Sequence, residues 1–420
     1  MSLFRYKWSE ERFGLVVLPF VLMIVSLVVD MVNGFLQNTC HLTTPVGVCF
    51  RGLLIALTLK YPLRLASEAF GRIAVAALFL FLLALPVWMI LEPYSDAYAD
   101  VIYFSRILFY YCIAGYFWYY RDRFDIAYLS RLTSRGAFIS ALSLVFCYAT
   151  GMGKATYTIG EISVGTRGFF TAGNDVGLYM NMGLVASLVH LVFSPTLRQA
   201  FVAFTVFVGG LLIGSRVGLF GNFLIVALFL GYFMTRGIPE VRLRRIYVLL
   251  ARAGLIAAVF FVVQTTLTFI RENDYLYERL TSDNAVNPRR ELMAGGEASI
   301  RSLSGHQLLV GRGLTGSNRY VARAVRFPDD EKAVEADLHD TLSSYGYLLG
   351  SLVILSFLLP LLRGVRMCAE RLTYPRYMNL IALCLFWGIG CMAGHAFANV
   401  MVFPIMSAVF IVALKYDSRQ

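Results

Sequence analysis

Residues 73–91 read IAVAALFLFLLALPVWMIL, nineteen positions without a charge. At about 1.5 Å rise per residue, a helix of this length spans roughly 30 Å, the thickness of a bilayer's hydrocarbon core. The run lacks the apolar–polar alternation of a barrel strand. Lipid offers backbone amides no partners, so a helix is the form that satisfies them. Comparable runs recur on both sides. Twelve spans are expected, at about 14–34, 44–60, 73–91, 100–120, 136–152, 174–193, 199–214, 217–235, 249–270, 341–362, 377–394 and 397–414. The first lacks a small-residue cleavage site, so no cleavable signal is expected.

Composition agrees with that reading. Of 420 residues, 58% are hydrophobic and 15% charged, against roughly 45–50% and about 25% in a soluble domain. An all-α polytopic membrane protein follows, in three parts. Residues 1–270 hold spans one to nine, 271–340 form a large polar cap, and 341–420 hold the last three spans.

The net charge of +11 would suit nucleic acid, but its distribution argues against that partner. With the first span running inside to outside, Arg5, Lys7, Arg12, Arg121, Arg123, Arg131, Arg135, Arg236, Arg242, Arg244 and Arg245 fall inside. Arg363, Arg366, Arg371 and Arg376 do too. The outward loops 35–43 and 92–99 carry no Lys or Arg. This positive-inside pattern places both termini in the cytoplasm and the long polar segment outside. Seven cysteines, mostly within spans, give neither a disulfide framework nor a metal cluster.

The polar segment holds 10 of the 37 basic and 12 of the 26 acidic residues. Its regular apolar positions (Leu292, Met293, Ile300, Leu303) predict an ordered, helix-bearing cap rather than a tail. A second outward loop, Gly153–Gly173, is rich in Gly and Thr. Its glycines suit either close approach to a ligand or an ordinary hairpin. No echo links the two halves of the chain, as a two-halved transporter would show.

Polar residues within spans are expensive unless they line a cavity. Asp30, Arg51, Arg106, Asn174, Asp175 and Arg216 all fall in the outer third. Any single arginine could instead snorkel or form an internal pair, Arg51 with Asp30 for example. Together they predict an outward pocket rimmed by Arg51, Arg106 and Arg216, suited to bidentate phosphate or carboxylate binding. Just before the tenth span, Glu335, Asp337, Asp340 and His339 offer general bases toward a sugar hydroxyl. The plainer alternative for them is a solvated loop end. Their spacing fits no metal template, and no metal or other cofactor is expected.

The order of these features resembles the O-antigen polymerase and O-antigen ligase superfamily of bacterial envelope glycosyltransferases, over most of the chain. Asp30 with Asn33-Gly34 and Arg51 looks like its amino-terminal pattern. Residues 170–177 (FTAGNDVG) are similar to its mid-chain motif, and Gly214-Ser-Arg-Val-Gly218 to its Ser-Arg turn. Arg289 or Arg290, then Gly311-x-Gly313, resembles its loop arginine and Gly-x-Gly. Glu335-x-Asp337-x-x-Asp340 with Gly346 and Gly350 resembles its final acidic motif. A ligase would show His-Asn where Glu335 stands, so His339 is not the ligase-type histidine. Met293 replaces the usual aromatic. These departures favour the polymerase-like branch.

The resemblance implies a GT-C-like, metal-independent enzyme of the bacterial inner membrane. It would act outside that membrane on an undecaprenyl-diphosphate-linked glycan. Arg216 and Arg289 or Arg290 would bind the diphosphate, and Glu335, or in second place Asp337 or His339, would deprotonate the acceptor. A flippase and a chain-length regulator are the expected protein partners. The alternatives are a ligase transferring glycan to lipid A core, or a flippase or other transporter of the lipid-linked glycan.

Overall fold

Long apolar runs form helices here with or without a side-chain cap; Asp96, Asp125 and Thr196 supply one. The computed structural model describes residues 12–42, 45–159, 162–236, 287–327 and 329–416, together with residue 264. Its helices are α1 (Phe13–Asn38), α2 (Val46–Arg64), α3 (Ala69–Leu91), α4 (Ala97–Tyr119), α5 (Ile126–Thr150), α6 (Gly173–Phe193) and α7 (Leu197–Leu212). They continue as α8 (Arg216–Arg236), α9 (Asn287–Arg301), α10 (Gln307–Val310), α11 (Gly313–Ala324), α12 (Asp337–Glu370), α13 (Tyr374–Ala393) and α14 (Val402–Lys415). Eight of them, α1 to α6, α8 and α12, are long and apolar enough to cross a membrane. Phe79, Leu82, Met89, Phe204 and Phe220 are each more than half exposed on this surface, which suits lipid and not water. The protein is therefore membrane-embedded and predominantly α-helical. The expected span at 249–270, the stretch 271–286 and Arg242, Arg244 and Arg245 lie outside the described residues.

Two helix starts differ from expectation. α5 begins at Ile126, ten residues before the predicted span. Asp125 caps it, accepting from the Ala127 N–H. Its first turns contain Ser130 and Thr133, whose hydroxyls bond back to the Ala127 and Leu129 carbonyls, so polar residues sit inside a helix. α12 begins at Asp337 and so takes in four residues of the expected loop end. The Gly153–Gly173 loop is a hairpin, β1 (Lys154–Ile159) antiparallel to β2 (Ile162–Gly168). The all-α expectation thus gains one small sheet.

Tight backbone contacts gather several elements at one end of the bundle. The hairpin's exit lies on α1, where a Cβ at Gly34 would sit 1.7 Å from the Phe169 carbonyl oxygen. Asn38 donates to the Phe170 carbonyl at 3.3 Å. The cap, formed by α9 to α11, docks on the same end. Trp88 Nε1 of α3 donates to the Gly311 carbonyl at 3.1 Å, and Asp100 of α4 accepts from the Leu314 N–H at 2.6 Å. α12 kinks at Gly346 (φ +68°), and the kink receives Gly311 of the cap. A Cβ at Gly346 would meet the Gly311 nitrogen at 2.5 Å, so neither position has room for a side chain. Arg121, Arg123, Arg131, Arg135, Arg363, Arg366, Arg371 and Arg376 all belong to the opposite end.

Candidate functional site

The capped end brings together four of the predicted polar residues. Arg51 of α2 donates through Nη2 to Asp30 of α1 at 2.8 Å, so the internal ion pair is formed. The pair lies in a narrow cleft lined also by Phe50, Phe109, Tyr179 and Met401. Gly47, one turn before Arg51, packs against both Arg51 and Asn33. Asp175, in the first turn of α6, lies within electrostatic reach of Arg106, Arg51 and Asp30. Arg106 of α4 also stacks over the Tyr103 ring at 5.9 Å. The Tyr103 hydroxyl in turn feels Asp337, Asp340 and Arg106. Asn174 is half-buried beside Asp175.

Arg216 opens α8. It lines an apolar groove of about 610 Å³ between α8 and α13, with Leu224, Leu228, Tyr377, Leu380 and Ile389. Of the expected rim, Arg51 lines the cleft and Arg216 the groove. Gly214 (φ +67°) turns the chain before Arg216, and buried Ser215 caps α8 by accepting from the Gly218 N–H at 3.0 Å. Gly177 of α6 presses against the Ser215 hydroxyl, so the mid-chain motif and the Ser-Arg turn meet in space.

The acidic string before α12 divides by environment. Asp337 is 1% exposed, and its two oxygens accept from the His395 and Phe397 N–H groups at 2.6 and 2.9 Å. It stitches α12 to the α13–α14 loop. Asp340, 4% exposed, accepts from the Val334 N–H at 2.9 Å and folds the preceding loop back on the helix. Both are buried acceptors of backbone N–H groups, so neither belongs to a solvated loop end. His339 packs its Cβ against Gly296 of α9, with a buried Nδ1 that lacks a hydrogen bond.

Glu335 differs from its neighbours. Its side chain is partly exposed, paired with Lys332 at 2.8 Å, and its backbone is left-handed (φ +61°). A left-handed non-glycine residue carries strain of roughly 1–3 kcal/mol, which tends to persist where function needs it. Gly394 packs directly on the Glu335 backbone, and His395 beside it is also left-handed (φ +67°). Two strained residues face each other across one glycine.

Of the cap arginines, Arg290 is exposed on α9; Arg289 belongs to that helix, but its side chain lies outside the described residues. The buried cap arginine is Arg312, 7% exposed, between Gly311 and Gly313. It donates to Ser302 Oγ at 2.9 Å and stacks on Tyr320 at 4.6 Å, and burial pulls its pKa down. Nearby, Glu92 accepts from His306 and Gln307, each at 2.8 Å. The sequence reading singled out neither Arg312 nor His395. Their flanking glycines were the available signal.

This arrangement defines a membrane-embedded helical protein with a polar, charge-paired cleft under an ordered cap. No protein-family model matches the chain, and no curated protein matches it.

Proposed function

We propose that this protein is a polysaccharide polymerase that extends polyprenyl-diphosphate-linked glycan at the capped face of the membrane. The observation that carries the reading is the convergence of Arg51, Asp30, Asp175 and Arg106 beneath the cap, with strained and accessible Glu335 on the same face. Charges gathered at one membrane boundary suit a substrate with a polar head and an apolar tail. The α8–α13 groove suits the polyprenyl chain, with Arg216 at its headgroup end. Arg216, Arg106 and the α9 arginines would hold the diphosphate and stabilise its charge as it leaves.

In this scheme Glu335 takes the proton of an acceptor sugar hydroxyl. The hydroxyl oxygen bonds to the donor's anomeric carbon as the bond from that carbon to the diphosphate oxygen breaks. The lipid diphosphate departs with the electron pair. Glu335 suits the task because Asp337 and Asp340 spend their oxygens on backbone N–H groups. The capped face is taken as the periplasmic face of a bacterial inner membrane, since the arginine-rich end is then cytoplasmic.

Glycan from a deletion strain tests the reading. Single repeats on the lipid core support a polymerase, whereas unattached polymer on its carrier indicates a ligase. Normal envelope glycan removes both. Arg216→Ala should abolish extension while leaving the protein inserted, and normal polymer from that variant excludes its diphosphate role.

A further inference from the structure

A second cavity lies at the bundle end opposite the cap, far from the charge-paired cleft. It runs between α3, α4, α12 and α14, with a volume of about 350 Å³, inside the range of roughly 300–1,000 Å³ for ligand sites. Its depth is apolar, lined by Phe70, Tyr110, Ala114, Phe117 and Phe410. Its mouth carries Arg363 and Arg366 of α12 and Glu68 at the start of α3.

The mouth is built around Trp118. The guanidinium carbons of Arg121 and Arg363 lie 4.4 and 4.5 Å from its ring centre. The Trp118 indole N–H donates to Glu68, which also accepts from Arg121 at 3.3 Å. Arg366 pairs with Glu370 at 2.8 Å. The acids at this mouth are thus engaged. Arg363 makes no carboxylate ion pair among the described residues, and the charges of Arg121, Glu68, Arg366 and Glu370 all bear on it. A phosphate suits this guanidinium cluster around Trp118, because its oxygens accept from several such donors at once. Basic openings between helices on the arginine-rich side of a membrane protein suit anionic lipid headgroups.

We propose that this cavity is a binding site for an anionic glycerophospholipid of the surrounding leaflet. Its phosphate sits at Arg363 and Arg366, and one acyl chain fills the slot beneath Trp118. The site is independent of the glycan reading, because it shares no residue with the cleft or the α8–α13 groove. It gives the bundle a lipid wedge between α4 and α12, two of the helices that dock the cap at their far ends.

The test is lipid retention. Full-length protein is equilibrated in micelles with equimolar phosphatidylglycerol and phosphatidylcholine, purified, and weighed with its bound lipid by native mass spectrometry. Wild type should retain phosphatidylglycerol about fivefold over phosphatidylcholine, and Arg363→Ala should bring the two near parity. Arg363→Lys should keep most of the preference, and Ala114→Phe, which fills the slot, should lower retention of both lipids. Equal retention by wild type, or an unchanged preference in Arg363→Ala, overturns the proposal. Should Arg363→Ala fail to fold, Ala114→Phe decides alone, and retention at the wild-type level overturns it.

Discussion

At the residue scale, neighbouring carboxylates do different work because burial and partners differ. Asp337 accepts two backbone N–H bonds, and hydrogen bonds to a charged group contribute about 1.5–3 kcal/mol each. Asp337→Asn keeps one acceptor and turns a donor toward the other N–H. Denaturant unfolding should show a loss of roughly 2–4 kcal/mol. Glu335 has only a partly exposed partner in Lys332, so Glu335→Gln should change stability by less than about 1 kcal/mol. On the proposed mechanism it should still abolish glycan extension. If instead Asp337→Asn proves stable and inactive while Glu335→Gln extends glycan normally, the roles are exchanged. A related prediction concerns Arg51. Arg51→Ala leaves the Asp30 carboxylate, 14% exposed, without its partner, and the thermal midpoint should fall. Adding Asp30→Asn should recover much of that fall; a further drop in the double variant would contradict the account.

Pairing of this kind was partly legible in the sequence. Asp30 and Arg51 sit at similar depths in adjacent spans, and their bond follows from that placement. The acidic string was legible as a cluster but not as a set of roles. What separates Glu335 from Asp337 is the return of residues 395–397, some sixty positions downstream, to the start of α12. Local spacing carries no trace of such a contact. Arg312 was hidden for a similar reason: its burial depends on Ser302, Gln307 and Tyr320 folding around it.

At the element scale, the cap is held by close backbone packing as much as by hydrogen bonds. Gly311 in the cap and Gly346 in α12 are in mutual contact, and each has positive φ. Gly346→Ala would place a methyl group 2.5 Å from the Gly311 nitrogen in a backbone conformation that alanine adopts poorly. The cap should then loosen while the spans remain intact. Hydrogen exchange should rise across residues 287–327 and stay unchanged in α6, whereas wild-type protection throughout the cap would refute the docking role. Long apolar helices such as α3 were plain in the sequence because 73–91 has no polar interruption. The early start of α5 was not, because hydroxyls that bond back to their own helix look like loop residues. The hairpin was one of two readings of its loop, since glycines suit close approach to a ligand as well as a turn.

At the scale of the whole molecule, the bundle has two chemically distinct ends. One carries the cap, the hairpin, the Ser-Arg turn and the paired cleft, and the other carries most of the described arginines. That polarity supports a catalyst working on one face of a membrane. A transporter would instead expose polar residues along the full depth of its path. The central claim is extension of a lipid-linked glycan by this chain alone. Its most direct measurement uses purified protein in liposomes supplied with polyprenyl-diphosphate-linked repeat units, with products separated by size. The account predicts a ladder of longer lipid-linked glycans from wild type and none from Glu335→Gln. Substrate that stays at one repeat with wild type, or that crosses the bilayer unextended, would contradict it.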